Sequence, residues 1–183
     1  MALLKLNKNF WRERLINILD LEISELKERL KQLNILPFRA TQLIDACFQY
    51  KDFDDVSNIS QKEKLILKEQ FYLRALCEVK RQESKDGTIK FALKCNDGNI
   101  IETVLMSYSY GYTICVSTQV GCRMCCAFCA STRNGLIRNL EASEILGQII
   151  CVNRFLSSSK NERKITNIVL RSEERRVGKE CRL

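Results

Sequence analysis

Residues 122–129 read Cys-Arg-Met-Cys-Cys-Ala-Phe-Cys, four thiols within eight positions of a chain that has ten cysteines and no histidine. Thiolates bind soft metals, so the spacing of the ligands decides the chemistry. A ferredoxin run, CxxCxxC, would need a cysteine where Phe128 stands, and it fails. Two abutting pairs, Cys122/Cys125 and Cys126/Cys129, could hold zinc, but structural zinc sites draw their pairs from separated segments so that two turns converge on a tetrahedron. The remaining pattern is CxxxCxxC through Cys122, Cys126 and Cys129, which leaves Cys125 out. Three thiolates are too few to close a [4Fe-4S] cluster, and the shortfall is useful: the fourth iron stays open to a ligand such as S-adenosylmethionine, whose reductive cleavage gives a radical. This spacing, between a strand and a helix, favours the cluster over zinc. Phe128 would then pack near the cluster or the bound adenine, or serve only as loop packing.

Strand, loop and helix must hold those thiols. Tyr112 to Thr118 (YTICVST) reads as a strand leading into the cysteines, and residues 141–156 as an amphipathic helix with Ile145, Leu146, Ile149, Ile150 and Val152 on or near one side. Residues 165–170 (ITNIVL) read as a buried strand. Strand, loop, helix and strand make one βαβ unit, the building block of a parallel sheet or barrel whose sites lie beyond the carboxyl ends of its strands. Upstream, residues 73–84, 88–96 and 99–109 alternate with period two around Asp86-Gly87 and Asp97-Gly98, both hairpin signals. The first seventy residues follow a helical period instead. A helix is expected over 15–35, a second after the only proline, Pro37, with Leu43, Ile44, Cys47 and Phe48 on one face, and a third opened by a Ser60/Glu63 capping box. Phe38, Phe48 and Tyr50 are expected in the core of this helical module.

Composition narrows the setting. The formal net charge of +8 points to a polyanion such as RNA. No apolar run reaches membrane-spanning length, and Lys5, Lys8, Arg12 and Arg14 interrupt any signal-peptide core, so a cytoplasmic location without a membrane partner is expected. In a reducing compartment clustered thiols are metal-binding or catalytic rather than disulfides. Cys47, Cys77, Cys95 and Cys151 read as core or incidental thiols.

The segment from Ile101 to Gln148, with LPFRATQLIDACFQY and DGTIKFALKCNDGNIIETV upstream, resembles the RlmN-type branch of the radical S-adenosylmethionine enzymes over about residues 15–170. The resemblance implies methylation of carbon 2 of an adenine in 23S rRNA and tRNA by a ping-pong mechanism. It implies a [4Fe-4S] cluster on Cys122, Cys126 and Cys129, S-adenosylmethionine, and an electron donor such as flavodoxin. Glu102 matches the family's acidic residue for proton handling at the adenine. Cys115 matches the cysteine that resolves a protein–RNA adduct by forming a disulfide with a second, C-terminal cysteine. By composition alone, Cys115 would be a small core residue of its strand and Glu102 a solvent-facing carboxylate.

The implied fold class is α/β: a helical RNA-binding accessory domain over 1–72, a β-hairpin region over 73–108, and the first part of a radical SAM partial (β/α) barrel over 109–170. The family would continue past Leu170 with a Gly-Glu-Pro stretch. Here Arg171 to Cys181 instead match the in-frame translation of a sequencing-library adapter, so 171–183 is expected to be a non-native tail and the chain as written an inactive fragment. Removing the tail's five basic and three acidic residues leaves +6, and the polyanion argument stands. Two alternatives remain at this point: a Cfr-type enzyme acting on carbon 8 of the same adenine, and a non-catalytic RNA-binding module with a structural metal site.

Overall fold

The computed structural model describes residues 15–124, 127, 129, 134–158 and 165–170. Cys125, Cys126, Phe128 and the 171–183 tail lie outside them. The chain is a mixed α/β protein that divides into two compact units, at Arg74 and Ala75. Among the described residues, no helix is long and apolar enough to cross a membrane.

In the first unit, α1 spans Ile23–Gln32, α2 Arg39–Phe48 and α3 Gln61–Gln70. The helix expected over 15–35 is therefore shorter at its start. Ile16–Asn17 forms a short strand, β1, paired in parallel with β2 at Phe71–Tyr72, and Ile18–Asp20 forms a single 3-10 turn. Asn17 is the reason: its side-chain oxygen accepts the Leu19 N–H at 2.9 Å, an alternative to helical pairing that this residue type readily offers. The capping box of α3 is present, with Ser60 Oγ accepting from the Glu63 N–H at 3.3 Å and Glu63 Oε2 from the Ser60 N–H at 2.9 Å. Ile18, Leu26, Leu30, Leu43, Phe53 and Leu67 make up much of the buried core.

Phe38 and Phe48 are not in that core; they are 54% and 53% exposed, and Tyr50 is half-buried. The buried stripe of α2 runs through Ala40, Leu43, Ala46 and Cys47, which leaves Phe48 one position outside it. Phe38 lies instead under the Arg39 guanidinium, and Tyr50 under that of Arg74, at 4.9 and 5.1 Å from the ring centroids.

The second unit is built on a five-stranded sheet of order β3-β4-β5-β6-β9, where β3 is Leu76–Glu83, β4 Ile89–Cys95, β5 Ile100–Tyr108, β6 Gly111–Val116 and β9 Ile165–Leu170. β3 to β6 are antiparallel neighbours and β9 joins β6 in parallel, as a βαβ crossover requires. Both Asp-Gly pairs sit in hairpin turns, with the Gly87 and Gly98 N–H groups donating to the carbonyls of Ser84 and Cys95 at 3.0 Å. The crossover holds α4, Ala142–Ser158, and, where the residue pattern predicts only a loop, a small strand pair: β7 at Gln119–Gly121 pairs antiparallel with β8 at Leu136–Asn139.

Two burial expectations change here. β9 was read as a buried strand, yet Ile168, Val169 and Leu170 are 54%, 46% and 44% exposed, because β6 occupies one edge and no described element covers this strand's faces. On α4, Ile145, Leu146 and Ile149 are only half-buried, whereas Ser143, Glu144, Gly147 and Gln148 are buried. The helix turns a partly polar face to the sheet.

Candidate functional site

Strand alternation places Glu102 and Cys115 together on one side of the sheet. Val104 pairs with Cys115, so the two side chains share a face, and Glu102, two residues from Val104, lies on that same face. The opposite face carries Ile101, Thr103 and Leu105 of β5 and Ile114 and Val116 of β6, all buried. Glu102 is half-exposed; its carboxylate accepts from Lys90 Nζ of the neighbouring strand at 2.9 Å, and its main-chain carbonyl accepts from Ser117 Oγ at 2.7 Å. Cys115 is half-buried and pairs on its other side with Val169 of β9.

Beyond the carboxyl end of β6, the chain passes through β7 into the cysteine run. Cys122 is buried at 4% exposure, and Cys129 is half-buried. Cys126, the middle thiol of the CxxxCxxC pattern, and Phe128 lie outside the described residues. Among the described residues no group of three His, Cys, Asp or Glu side chains is arranged to hold a metal ion. The donor chemistry fits an iron–sulfur cluster: Cys122 and Cys129 carry soft sulfur ligands, and no imidazole exists in the chain to complete a mixed site.

The run is closed at its base. Cys122 N–H donates to the Gly135 carbonyl at 3.0 Å, continuing the β7–β8 pairing. Gly121 makes that approach feasible: its φ is +76°, and a Cβ there would collide with the Gly135 carbonyl oxygen. At the exit, Arg138 of β8 reaches two carboxylates. Its Nε donates to Asp97 Oδ2, and Nη1 and Nη2 donate to the two oxygens of Glu144, each at 2.7 Å. Burial disfavours the charged forms of Glu144 and Asp97, but hydrogen bonds from Arg138 and from the Glu141 and Asn99 N–H groups outweigh it and hold both carboxyls below their ordinary values. Arg138 is driven the other way, to hold its proton more tightly, chiefly by its hydrogen bonds to Glu144. Buried Cys95 is pushed up to about 12 by desolvation and then by the charge of Glu144, so it stays a thiol.

Sequence reading did not single out Lys90, Arg138, Glu144 or Gln148. The last two had a signal, since polar residues four apart within an otherwise apolar helix pattern point into whatever that helix covers. Lys90 and Arg138 had none, because their partners come from other strands.

Residues 16–73 match the family described as Ribosomal RNA large subunit methyltransferase N-terminal domain. Over 156 residues, 84% of the chain, it is 44% identical to the probable dual-specificity RNA methyltransferase RlmN of Bacillus pumilus and 43% identical to that of Staphylococcus saprophyticus. It covers 43% and 42% of those proteins, so the chain spans less than half the length of the curated relatives it matches. The crystal structure of a radical SAM methyltransferase from Sphaerobacter thermophilus superposes with a TM-score of 0.75 at 35% identity, over 84% of this chain and 45% of that one. The chain is thus similar to these RlmN proteins over part of their length, and its fold matches the corresponding part of a radical SAM methyltransferase structure.

Proposed function

We propose that this chain, similar to RlmN over part of that protein's length, belongs to a cytoplasmic enzyme that methylates carbon 2 of an adenine in 23S rRNA and tRNA. The observation that carries the reading is the common face of Glu102 and Cys115, on adjacent antiparallel strands, the second of which leads through β7 into the cysteine run. Cys122, Cys126 and Cys129 hold a [4Fe-4S] cluster, which with S-adenosylmethionine supplies the radical chemistry when bound. Glu102 handles a proton at the adenine, and the Lys90 ammonium orients its carboxylate. The Cys115 thiol, on the same face, releases the methylated base from a partner cysteine supplied by the remainder of the enzyme. Residues 1–72 act as the RNA-binding accessory domain, and the exposed rings of Phe48 and of Phe38, the latter against Arg39, offer it stacking surfaces of the kind unpaired bases use.

The test replaces the corresponding segment of a full-length RlmN relative with residues 15–170 and analyses modified adenosines by mass spectrometry. The expected product is 2-methyladenosine, lost on Cys126→Ala and on Cys115→Ala. Methylation at carbon 8 would assign the other branch. One zinc per chain after anaerobic preparation, in place of about four irons, would make the segment a binding module.

A further inference from the structure

Gln148, in the second turn of α4, is completely buried, and its amide is fully engaged. Its Oε1 accepts from the Ser117 N–H and from Thr103 Oγ1, both at 2.7 Å. Its Nε2 donates to the Ser117 carbonyl at 2.9 Å and to the Glu144 carbonyl at 3.3 Å. One side chain therefore takes both main-chain groups of Ser117, as a neighbouring strand would, at the residue just past the end of β6. Ser117 is itself 2% exposed and Thr103 is fully buried, so water does not compete for these bonds.

One turn earlier on the same helix, Glu144 grips Arg138 through two parallel hydrogen bonds, a geometry that fixes direction as well as distance. Ser117 precedes the cysteine run and Arg138 follows it. Between them lie the β7–β8 pairing and the Cys122 to Gly135 hydrogen bond. Helix α4 thus holds the entrance and the exit of the same loop with two side chains four residues apart. A leucine at 148 would fill a buried position without needing partners, so packing alone does not call for an amide there.

We infer that Gln148 and Glu144 are positioning residues, which set the neck of the cysteine loop so that Cys122 and Cys129 are held in a receptive arrangement before any metal arrives. The inference rests on the cluster reading above. It moves the ordering of the neck from the metal-binding step into folding, so the loop captures iron with less rearrangement.

The test uses the 183-residue chain, wild type against Gln148→Leu and Gln148→Glu, with Leu156→Ala, a core truncation in the last turn of α4, as the control for simple loss of stability. Amide hydrogen exchange is followed over residues 117–122 in the metal-free chain. Iron per chain and the low-temperature EPR spectrum of the reduced cluster, with and without S-adenosylmethionine, are recorded after anaerobic reconstitution. In Gln148→Leu, exchange over 117–122 is expected to rise about tenfold, and iron to fall about threefold or more with an altered EPR spectrum. Gln148→Glu, which keeps the acceptor oxygens but loses the donor to the Ser117 carbonyl, should fall between it and wild type. Leu156→Ala should keep wild-type exchange over 117–122 and a wild-type EPR spectrum. If Gln148→Leu does not fold, Gln148→Glu and Glu144→Gln carry the same comparison. Position-148 variants that match Leu156→Ala in both exchange and spectrum overturn the inference and leave the cluster reading standing. A wild-type chain that binds no iron overturns the cluster reading and the purpose given to the neck with it.

Discussion

The two units reach order by opposite means. Residues 16–73 close around an apolar core, with capping boxes at Ser60/Glu63 and Asp52/Asp55 at helix ends near solvent and Asn17 and Lys64 as buried polar side chains. The part of the sheet unit that carries the cysteine run is held more by polar pairing: buried Gln148, Ser117 and Thr103 at the entrance, and buried Glu144 with partly exposed Arg138 at the exit. Apolar packing is non-directional and tolerates small shifts, whereas hydrogen bonds away from water fix angles and penalise any departure. A folding module is adequately served by the first; a loop that must offer thiols in a set arrangement needs the second.

The sharpest way to break this contrast is to truncate the first unit's core. Leu30 is fully buried, and Leu30→Ala should remove about 3 kcal/mol from the unfolding free energy of that unit, measured by urea denaturation, while leaving amide exchange around Cys122 unchanged. Gly121→Ala acts on the other side of the comparison. The strained φ and the collision with the Gly135 carbonyl should cost about 2 kcal/mol and open the β7–β8 pairing, seen as faster exchange of the Cys122 N–H.

Arg138→Met should cost slightly less, about 1.5 kcal/mol, since the guanidinium is 31% exposed and solvent screens part of the interaction. It also changes the response to acid. Glu144 and Asp97 titrate below their ordinary values of 4.5 and 3.8 in the folded chain, so the stability they contribute is full at neutral pH and holds down to about those values. It is lost as pH falls further, through the lowered values. The variant should have a shallower loss of stability with acid over that range; an unchanged acid limb would show that other carboxylates set it. The smallest effect belongs to a helix end: Ser60→Ala should cost about 1 kcal/mol by removing one capping acceptor.

What could be read from the residues follows the same division. The capping box over 60–63, both Asp-Gly turns and the βαβ order were legible because each depends on neighbours in the chain. The start of α1 was not, since Asn17 offers its own oxygen to Leu19 and Ile16 pairs with Phe71, a partner 55 residues away. Phe38 and Phe48 were assigned to the core, Phe48 from its place beside Leu43, Ile44 and Cys47 in the helical pattern, although the small residues Ala40, Ala46 and Cys47 with Leu43 define the buried stripe of α2. At the candidate site, the cysteines of residues 122–129 stand out by type and spacing, whereas Glu102 and Cys115 are marked only by the family resemblance. Lys90 and Arg138 do not, because what distinguishes them is a partner on another strand: Glu102 for one, Asp97 for the other.

The two Asp-Gly turns are identical as dipeptides, but they differ in what depends on them. The carboxylate of Asp86 serves its own turn, accepting from the Thr88 N–H and hydroxyl, whereas that of Asp97 also receives Arg138. A reporter peptide or affinity tag spliced between Asp86 and Gly87 should therefore pass unnoticed by the cysteine loop. The same splice between Asp97 and Gly98 would pull on β8, so one of two interchangeable-looking surface turns is a safe port for engineering and the other is wired to the chemistry.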